Sequence, residues 1–86
     1  MRVRYSTKFK RMFRKLSHIQ QKSAVETLMI FEQNPFLPSL RNHKLHGSHE
    51  GARAIEAGYD LRIVYREEDG HAVVLMIAVG THDQVY

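Results

Sequence analysis

The stretch Leu61-Arg62-Ile63-Val64-Tyr65-Arg66-Glu67-Glu68-Asp69-Gly70-His71-Ala72-Val73-Val74-Leu75-Met76-Ile77-Ala78-Val79-Gly80 decides the fold of this chain. Leu61, Ile63 and Tyr65 alternate with Arg62, Val64 and Arg66, the period-two pattern of a strand with two unlike faces. Asp69-Gly70 suits a two-residue hairpin turn, because both central positions can adopt positive φ. Ala72 to Val79 is an almost unbroken apolar run, as expected for a central strand covered on at least one face. A purely helical fold is hard to reconcile with residues 61–79.

Upstream of this hairpin, Arg53 to Glu56 forms a candidate strand, and Gly58 suits a tight turn. Residues 36–51 carry Phe36, Leu37, Leu40 and Leu45 without steady periodicity, so they read as a long connection pinned by apolar anchors. Connections of that length are often functional. Residues 18–33 read as a helix. Ser17 and Gln20 make a capping box at its start, and Asn34-Pro35 stops it. Its expected inward face holds Ile19, Ala24, Val25, Leu28, Met29 and Phe31. An earlier helix, capped by Ser6 or Thr7, aligns Phe9, Met12, Phe13 and Leu16 in one apolar stripe. Lys8, Lys10, Arg11, Arg14 and Lys15 fill most of its remaining circumference. Residues 1–5 give a short half-exposed strand, and residues 81–86 a polar tail. The expected fold is α+β in the order β-α-α-β-β-β. An antiparallel sheet carries the N-terminal helical hairpin on one face, within one domain spanning 1–86.

Composition narrows the function. The 86 residues include no cysteine, so disulfides and thiolate metal sites are excluded. No apolar run approaches the roughly 20 residues that cross a bilayer, and no secretion signal opens the chain. A cytoplasmic protein without a membrane partner is expected. Charge is unevenly placed: residues 1–25 hold eight of the thirteen basic side chains and no acid, while all nine acids follow. A positive front of this kind favours a polyanion such as nucleic acid, although an acidic protein would satisfy the same field.

Six histidines are present, and His43, His46, His49 and His82 lie near Glu56, Asp60 and Asp83 in the sequence. Imidazole both gives and takes protons near neutrality. Cleavage of RNA by its own 2′-hydroxyl needs a base for that hydroxyl, an acid for the departing 5′-oxygen and a cation on the phosphate. His43, Asp60 and His82 can manage the protons, and Arg62 can clamp phosphate bidentately. Pairing across the hairpin sets position 60 roughly opposite 79–80, which brings Asp60 and His82 to one end of the sheet. Arg62 would share a strand face with Asp60. His43 joins them only if the long connection folds over that end. His43, His46 and His49, completed by Asp60 or His82, have zinc-ligand chemistry but match no strong zinc motif, so no metal or other cofactor is expected. A phosphate-binding glycine loop is also missing.

Three segments carry a family resemblance: His43-Lys44-Leu45-His46-Gly47 followed by Gly51, Asp60-Leu61-Arg62-Ile63-Val64-Tyr65, and Gly80-Thr81-His82-Asp83-Gln84-Val85-Tyr86. Together with the basic helical hairpin they make the chain resemble the RelE/ParE toxin superfamily, and most closely its YafQ branch. The resemblance implies a RelE-like fold and a toxin that enters the ribosomal A site. There it would cleave messenger RNA without a metal, until a cognate antitoxin neutralises it in a hetero-oligomer. His43, Asp60, His82 and Tyr86 match the YafQ-like pattern, and Arg62 matches the arginine of the RelE-like strand. Glu56 stands where the YafQ-like pattern has a histidine. A carboxylate there can replace a proton acceptor but not a cation. His82 is the expected acid, and Asp60 or His43 the base. Lys8, Lys10, Arg11, Arg14, Lys15, Lys44, His46 and Tyr86 are candidate RNA contacts. The alternative is a non-cleaving protein of the same fold that inhibits DNA gyrase or only binds antitoxin or ribosome. The proton-transfer set argues against it.

Overall fold

A computed structural model describes residues 1–70 and 72–86. Strand β1 (Arg2–Tyr5) leads into helices α1 (Thr7–Arg14) and α2 (His18–Gln33). A connecting stretch then holds the two-residue strand β2 (His43–Lys44) between 3-10 turns at Pro38–Leu40 and Gly47–His49. Strands β3 (Arg53–Glu56), β4 (Arg62–Glu68) and β5 (Val73–Gly80) follow, and helix α3 (His82–Val85) closes the chain. The expected order is therefore present, with β2 and α3 added. Two-residue and four-residue elements are too short to leave a period in the sequence.

Both long helices begin as their caps dictate. The Ser6 side chain accepts from the Phe9 amide at 2.9 Å, and Ser17 and Gln20 form the reciprocal capping box. Among the described residues the sheet has five strands in the order β1-β5-β4-β3-β2. It is mixed, which corrects the wholly antiparallel expectation: β1 runs parallel to β5. Alternation in residues 1–5 carries no information on direction. Tertiary bonds settle it, from the Arg2 amide to the Ala72 carbonyl (3.0 Å) and from the Ser6 amide to the Met76 carbonyl (2.9 Å).

The central hairpin also differs in detail. Asp69 and Gly70 both adopt positive φ (48° and 57°), yet Glu68 pairs with Val73, so the connection runs over 69–72. A bulge then breaks the register between Val64 and Tyr65. Together they give Gly80 the partner Arg62 in place of position 60.

Helices α1 and α2 cover one sheet face. Phe9, Leu28 and Phe31 pack there on Ile55, Leu61, Ile63, Tyr65, Val74 and Met76. The inward face expected for α2 is too broad: Ala24, Leu28 and Phe31 are buried, but Ile19, Val25 and Met29 are 82%, 45% and 63% exposed. The sheet covers only one stripe of the helix. Helix α1, with 8 residues against 16, is too short to shield the flank. The opposite sheet face is lined by Ala52, Ala54, Val64 and Ala78, covered by Val85 and half-buried Leu45. Among the described residues no helix is long and apolar enough to cross a membrane.

Candidate active site

The cleft-bearing face owes its shape to small side chains. Ala54, Val64 and Ala78 let Leu45 and Val85 pack close on the sheet, and beyond them Glu56 and Arg62, at the ends of β3 and β4, form the cleft floor. Two segments wall it: residues 41–49 on one side and α3 on the other. The resulting open cleft of about 740 Å³ is lined by Arg41, Asn42, His43, Leu45, His46, His49, Glu56, Arg62, His82 and Tyr86.

Each wall is held by identifiable bonds. Asn42 is the anchor of the first. Its amide donates to the Tyr65 hydroxyl (2.6 Å) and the Pro35 carbonyl (2.8 Å), and its carbonyl oxygen accepts from Arg53 Nε (2.7 Å). Tyr65 is 1% exposed, so a core hydroxyl fixes a loop residue whose neighbours Arg41 and His43 reach the cleft. Arg41 adopts left-handed backbone (φ 49°), unusual for a side chain of its size. Its amide closes the preceding 3-10 turn on the Pro38 carbonyl (3.1 Å). In the two-residue strand β2, side chains alternate: His43 lines the cleft, while Lys44 lies in a smaller hollow beside Glu50 and Arg53.

Thr81 and Gln84 form a capping box that starts α3 directly after β5. Gly80 lets this helix approach the sheet. A Cβ there would lie 2.6 Å from Gln84 Oε1, the same atom that accepts from the Thr81 amide. His82 therefore projects from the first turn of α3. Its ring meets Tyr86 edge-on at 4.7 Å, and His49 meets Tyr86 at 5.8 Å. Burial pushes the Tyr86 phenol above its ordinary pKa; Arg62 lowers it in part and Glu56 raises it. The phenol is thus a neutral hydrogen-bond donor near neutrality.

The histidine protons follow from their partners. His43 Nδ1 lies 2.8 Å from the Arg41 carbonyl, which can only accept, so Nδ1 carries hydrogen, and in the neutral ring Nε2 is the atom left with a lone pair. His82 Nδ1 faces the Asp83 carboxylate at 3.4 Å, a longer contact with the same polarity. At the cleft floor, the two oxygens of Glu56 are shared between two guanidiniums. Arg41 Nε lies at 3.0 Å and Arg62 Nη2 at 3.5 Å.

The structure thus brings together His43, Glu56, Arg62, His82, His46 and Tyr86 on one cleft. Asp60 is at its edge and is not a lining residue. It sits in the turn before β4 with left-handed backbone (φ 46°), so it does not share a strand face with Arg62. Its carboxylate points to the His82 backbone amide at 3.5 Å, not to the imidazole. Lys8, Lys10, Arg11 and Arg14 on α1 and Lys15 at its C-cap are exposed and do not line the cleft. Lys10 and Arg14 border a separate apolar groove of about 350 Å³ with Tyr5, Phe9, Phe13 and Val25. Among the described residues no group of three or more histidines and carboxylates is placed to hold a metal ion. Arg41 and Asn42 are cleft residues that sequence reasoning missed, and His49, named there only as one of the clustered histidines and a possible zinc ligand, lines the cleft as well. Arg41 sits next to the His43-Lys44-Leu45-His46-Gly47 segment, but an arginine in left-handed backbone has no sequence signature.

Comparison with known proteins identifies the family and the fold. The family model described as the YafQ bacterial toxin of type II toxin-antitoxin systems matches residues 1–86. Among solved structures, the chain resembles one in the RelBE2 toxin-antitoxin complex from Mycobacterium tuberculosis, with 25% identity and a TM-score of 0.76 over 94% of this chain and 96% of the other. YafQ from E. coli strain BL21(DE3) is 22% identical with a TM-score of 0.73, over 100% and 99% of the two chains. The YoeB/ParE toxin from Agrobacterium tumefaciens is 14% identical with a TM-score of 0.78, over 95% and 99%. At these two lower identities the likeness concerns the fold alone. A comparison with curated protein sequences gives no significant match.

Proposed function

Because the chain belongs to the YafQ family of bacterial type II toxins, we propose that it is an endoribonuclease that cleaves translated messenger RNA in the ribosomal A site. The observation that carries this reading is the shared cleft, in which His43, His82, Arg62 and Glu56 line one open surface. Cleavage by the 2′-hydroxyl is a single displacement at phosphorus. A base takes the 2′ proton, the 2′-oxygen attacks, and the 5′-oxygen leaves with a proton from an acid. The products are a 2′,3′-cyclic phosphate and a free 5′-hydroxyl.

His43 suits the base, since its Nδ1–H is engaged by the Arg41 carbonyl and Nε2 is left to accept. His82, which would have to carry the proton it donates, suits the acid on the opposite wall. Arg62 is 22% exposed and fixed on β4, so its guanidinium can hold phosphate oxygens as negative charge builds on them. Asp60 supports His82 through the α3 backbone, a positioning part in place of a proton-transfer one. Tyr86 offers an aromatic edge and a neutral hydroxyl near the same phosphate, and base stacking on such a ring is worth about 1–3 kcal/mol. The exposed cations of α1, which do not line the cleft, form a second positive surface suited to salt-dependent attraction to ribosomal RNA. The same surface suits an acidic segment of a neutralising antitoxin. Solved relatives are found in complexes of this kind, RelBE2 from Mycobacterium tuberculosis and DinJ-YafQ from E. coli.

Expression from a tight promoter, with and without His82→Ala, tests the proposal. Growth arrest with codon-phased messenger breaks that vanish in the variant is the expected result. Arrest with intact RNA and altered DNA topology would point to gyrase. No arrest would mean a binding protein only.

A further inference from the structure

Glu56 does more than stand in place of a histidine. Its carboxylate lies between two cations from different elements, with Oε2 on Arg41 Nε and Oε1 on Arg62 Nη2. One anion with two adjacent oxygens thus occupies a seat between two guanidiniums. The arms are unequal: the Arg62 side chain is 22% exposed and set in the sheet, whereas that of Arg41 is 78% exposed and reaches in from the loop. A phosphodiester also presents two adjacent non-bridging oxygens, and guanidinium forks match that geometry.

We propose that Arg41 and Arg62 form a two-armed clamp for one RNA phosphodiester, with Glu56 holding the seat until RNA displaces it. The proposal rests on the ribonuclease reading above and adds a phosphate ligand and a self-competing carboxylate to it. Arg62 supplies the fixed arm. Arg41 is the mobile arm, since an exposed ion pair is weak enough to exchange its carboxylate for a phosphate. Its left-handed backbone and the Asn42 anchor beside it aim that arm at the floor of the cleft. Glu56 then sets the threshold for binding: RNA must supply both oxygens at once to replace it.

The test uses the full chain and a short single-stranded RNA with a 2′-O-methyl group on every ribose, which cannot be cleaved. Affinity is measured by fluorescence anisotropy over a salt series. Arg41→Ala and Arg62→Ala should each weaken binding about five- to tenfold at low salt. For Arg41→Ala the slope of log affinity against log salt should shrink by about 0.7, one phosphate contact on a single strand. Glu56→Gln should bind about threefold or more tightly. Glu50→Gln removes the same charge outside the cleft and should stay within about twofold of the parent, because screening mutes distant charges. Thermal melts identify any variant that fails to fold, and Arg41→Lys, which keeps the charge without the fork, then takes the place of Arg41→Ala. Weakening in Arg62→Ala without weakening at Arg41 overturns the clamp while leaving the ribonuclease reading intact. Binding by Glu56→Gln no tighter than by Glu50→Gln overturns the seat-holding role. Equal binding by the parent and every variant would remove the cleft as an RNA site, and the reading beneath the proposal with it.

Discussion

The two faces of the sheet are built from different stock. Against α1 and α2 stand Ile55, Leu61, Ile63, Tyr65 and Met76, all no more than 1% exposed. The other face carries Ala52, Ala54, Val64 and Ala78, equally buried but low in profile. Large side chains on the first face drive folding, since each fully buried one contributes about 1.5–3 kcal/mol. Small ones on the second let Leu45 and Val85 pack close. The cleft beyond them takes Glu56 and Arg62 from the strands and its histidines from the segments folded over the sheet. Stability and chemistry are therefore carried on opposite sides of the same strands, and substitutions on the two sides should have separable effects.

Phe31→Ala, on the helix side, should have the largest effect on stability, about 3–5 kcal/mol. For 86 residues at roughly 0.05–0.15 kcal/mol each, that is a large part of the total. Chemical denaturation measures it. Cleavage per folded molecule should stay near the parental rate, and a matching fall in that rate would break the separation.

Ala78→Leu, on the cleft side, should show the reverse balance. Overpacking there costs about 1–3 kcal/mol. The added bulk presses on Val85 and shifts α3 with His82 and Tyr86, so cleavage should fall at least about tenfold by misplacement alone. Asn42→Ala should destabilise by about 1–3 kcal/mol, because the buried Tyr65 hydroxyl loses its partner. Freed from that anchor, the loop should also lower cleavage by about tenfold, which Tyr65→Phe should reproduce in part.

Tyr86→Phe should matter least. Its phenol, raised by burial, is neutral through the neutral range, so the shape of the pH–rate curve there should match the parent. The phenols of Tyr86 and Tyr5 both have raised folded-state values. Their contribution to stability is thus present below an unfolded value of about 10 and lost as pH rises through the raised ones. A changed neutral limb in Tyr86→Phe would give the hydroxyl a proton-transfer part that this account denies it.

What was legible in the sequence follows the same division. The helix-side strands and both long helices were visible because their burial repeats at fixed periods, and α2 emerged with the bounds read from Ser17 and Asn34-Pro35. The parallel placement of β1 was not legible, since the strand has no hairpin to dictate its direction. On the cleft side, His43, Arg62 and His82 could be picked by chemistry, yet their meeting depends on irregular features. The four-residue connection at 69–72 and the bulge at Val64/Tyr65 bring Arg62 level with Gly80, just before α3. Arg41 and Asn42 act through a left-handed backbone and a bond to a core tyrosine 23 positions away, which no local pattern encodes.

The most direct measurement is the chemistry of the cut ends, read after ribosomes programmed with a defined messenger are incubated with the toxin. The upstream fragment should end in a 2′,3′-cyclic phosphate and the downstream one begin with a 5′-hydroxyl. His43→Ala and His82→Ala should each slow the cut by about 10²–10⁴-fold. Fragments bearing a 5′-phosphate and a 3′-hydroxyl, or cutting that survives both substitutions at the parental rate, would contradict this mechanism.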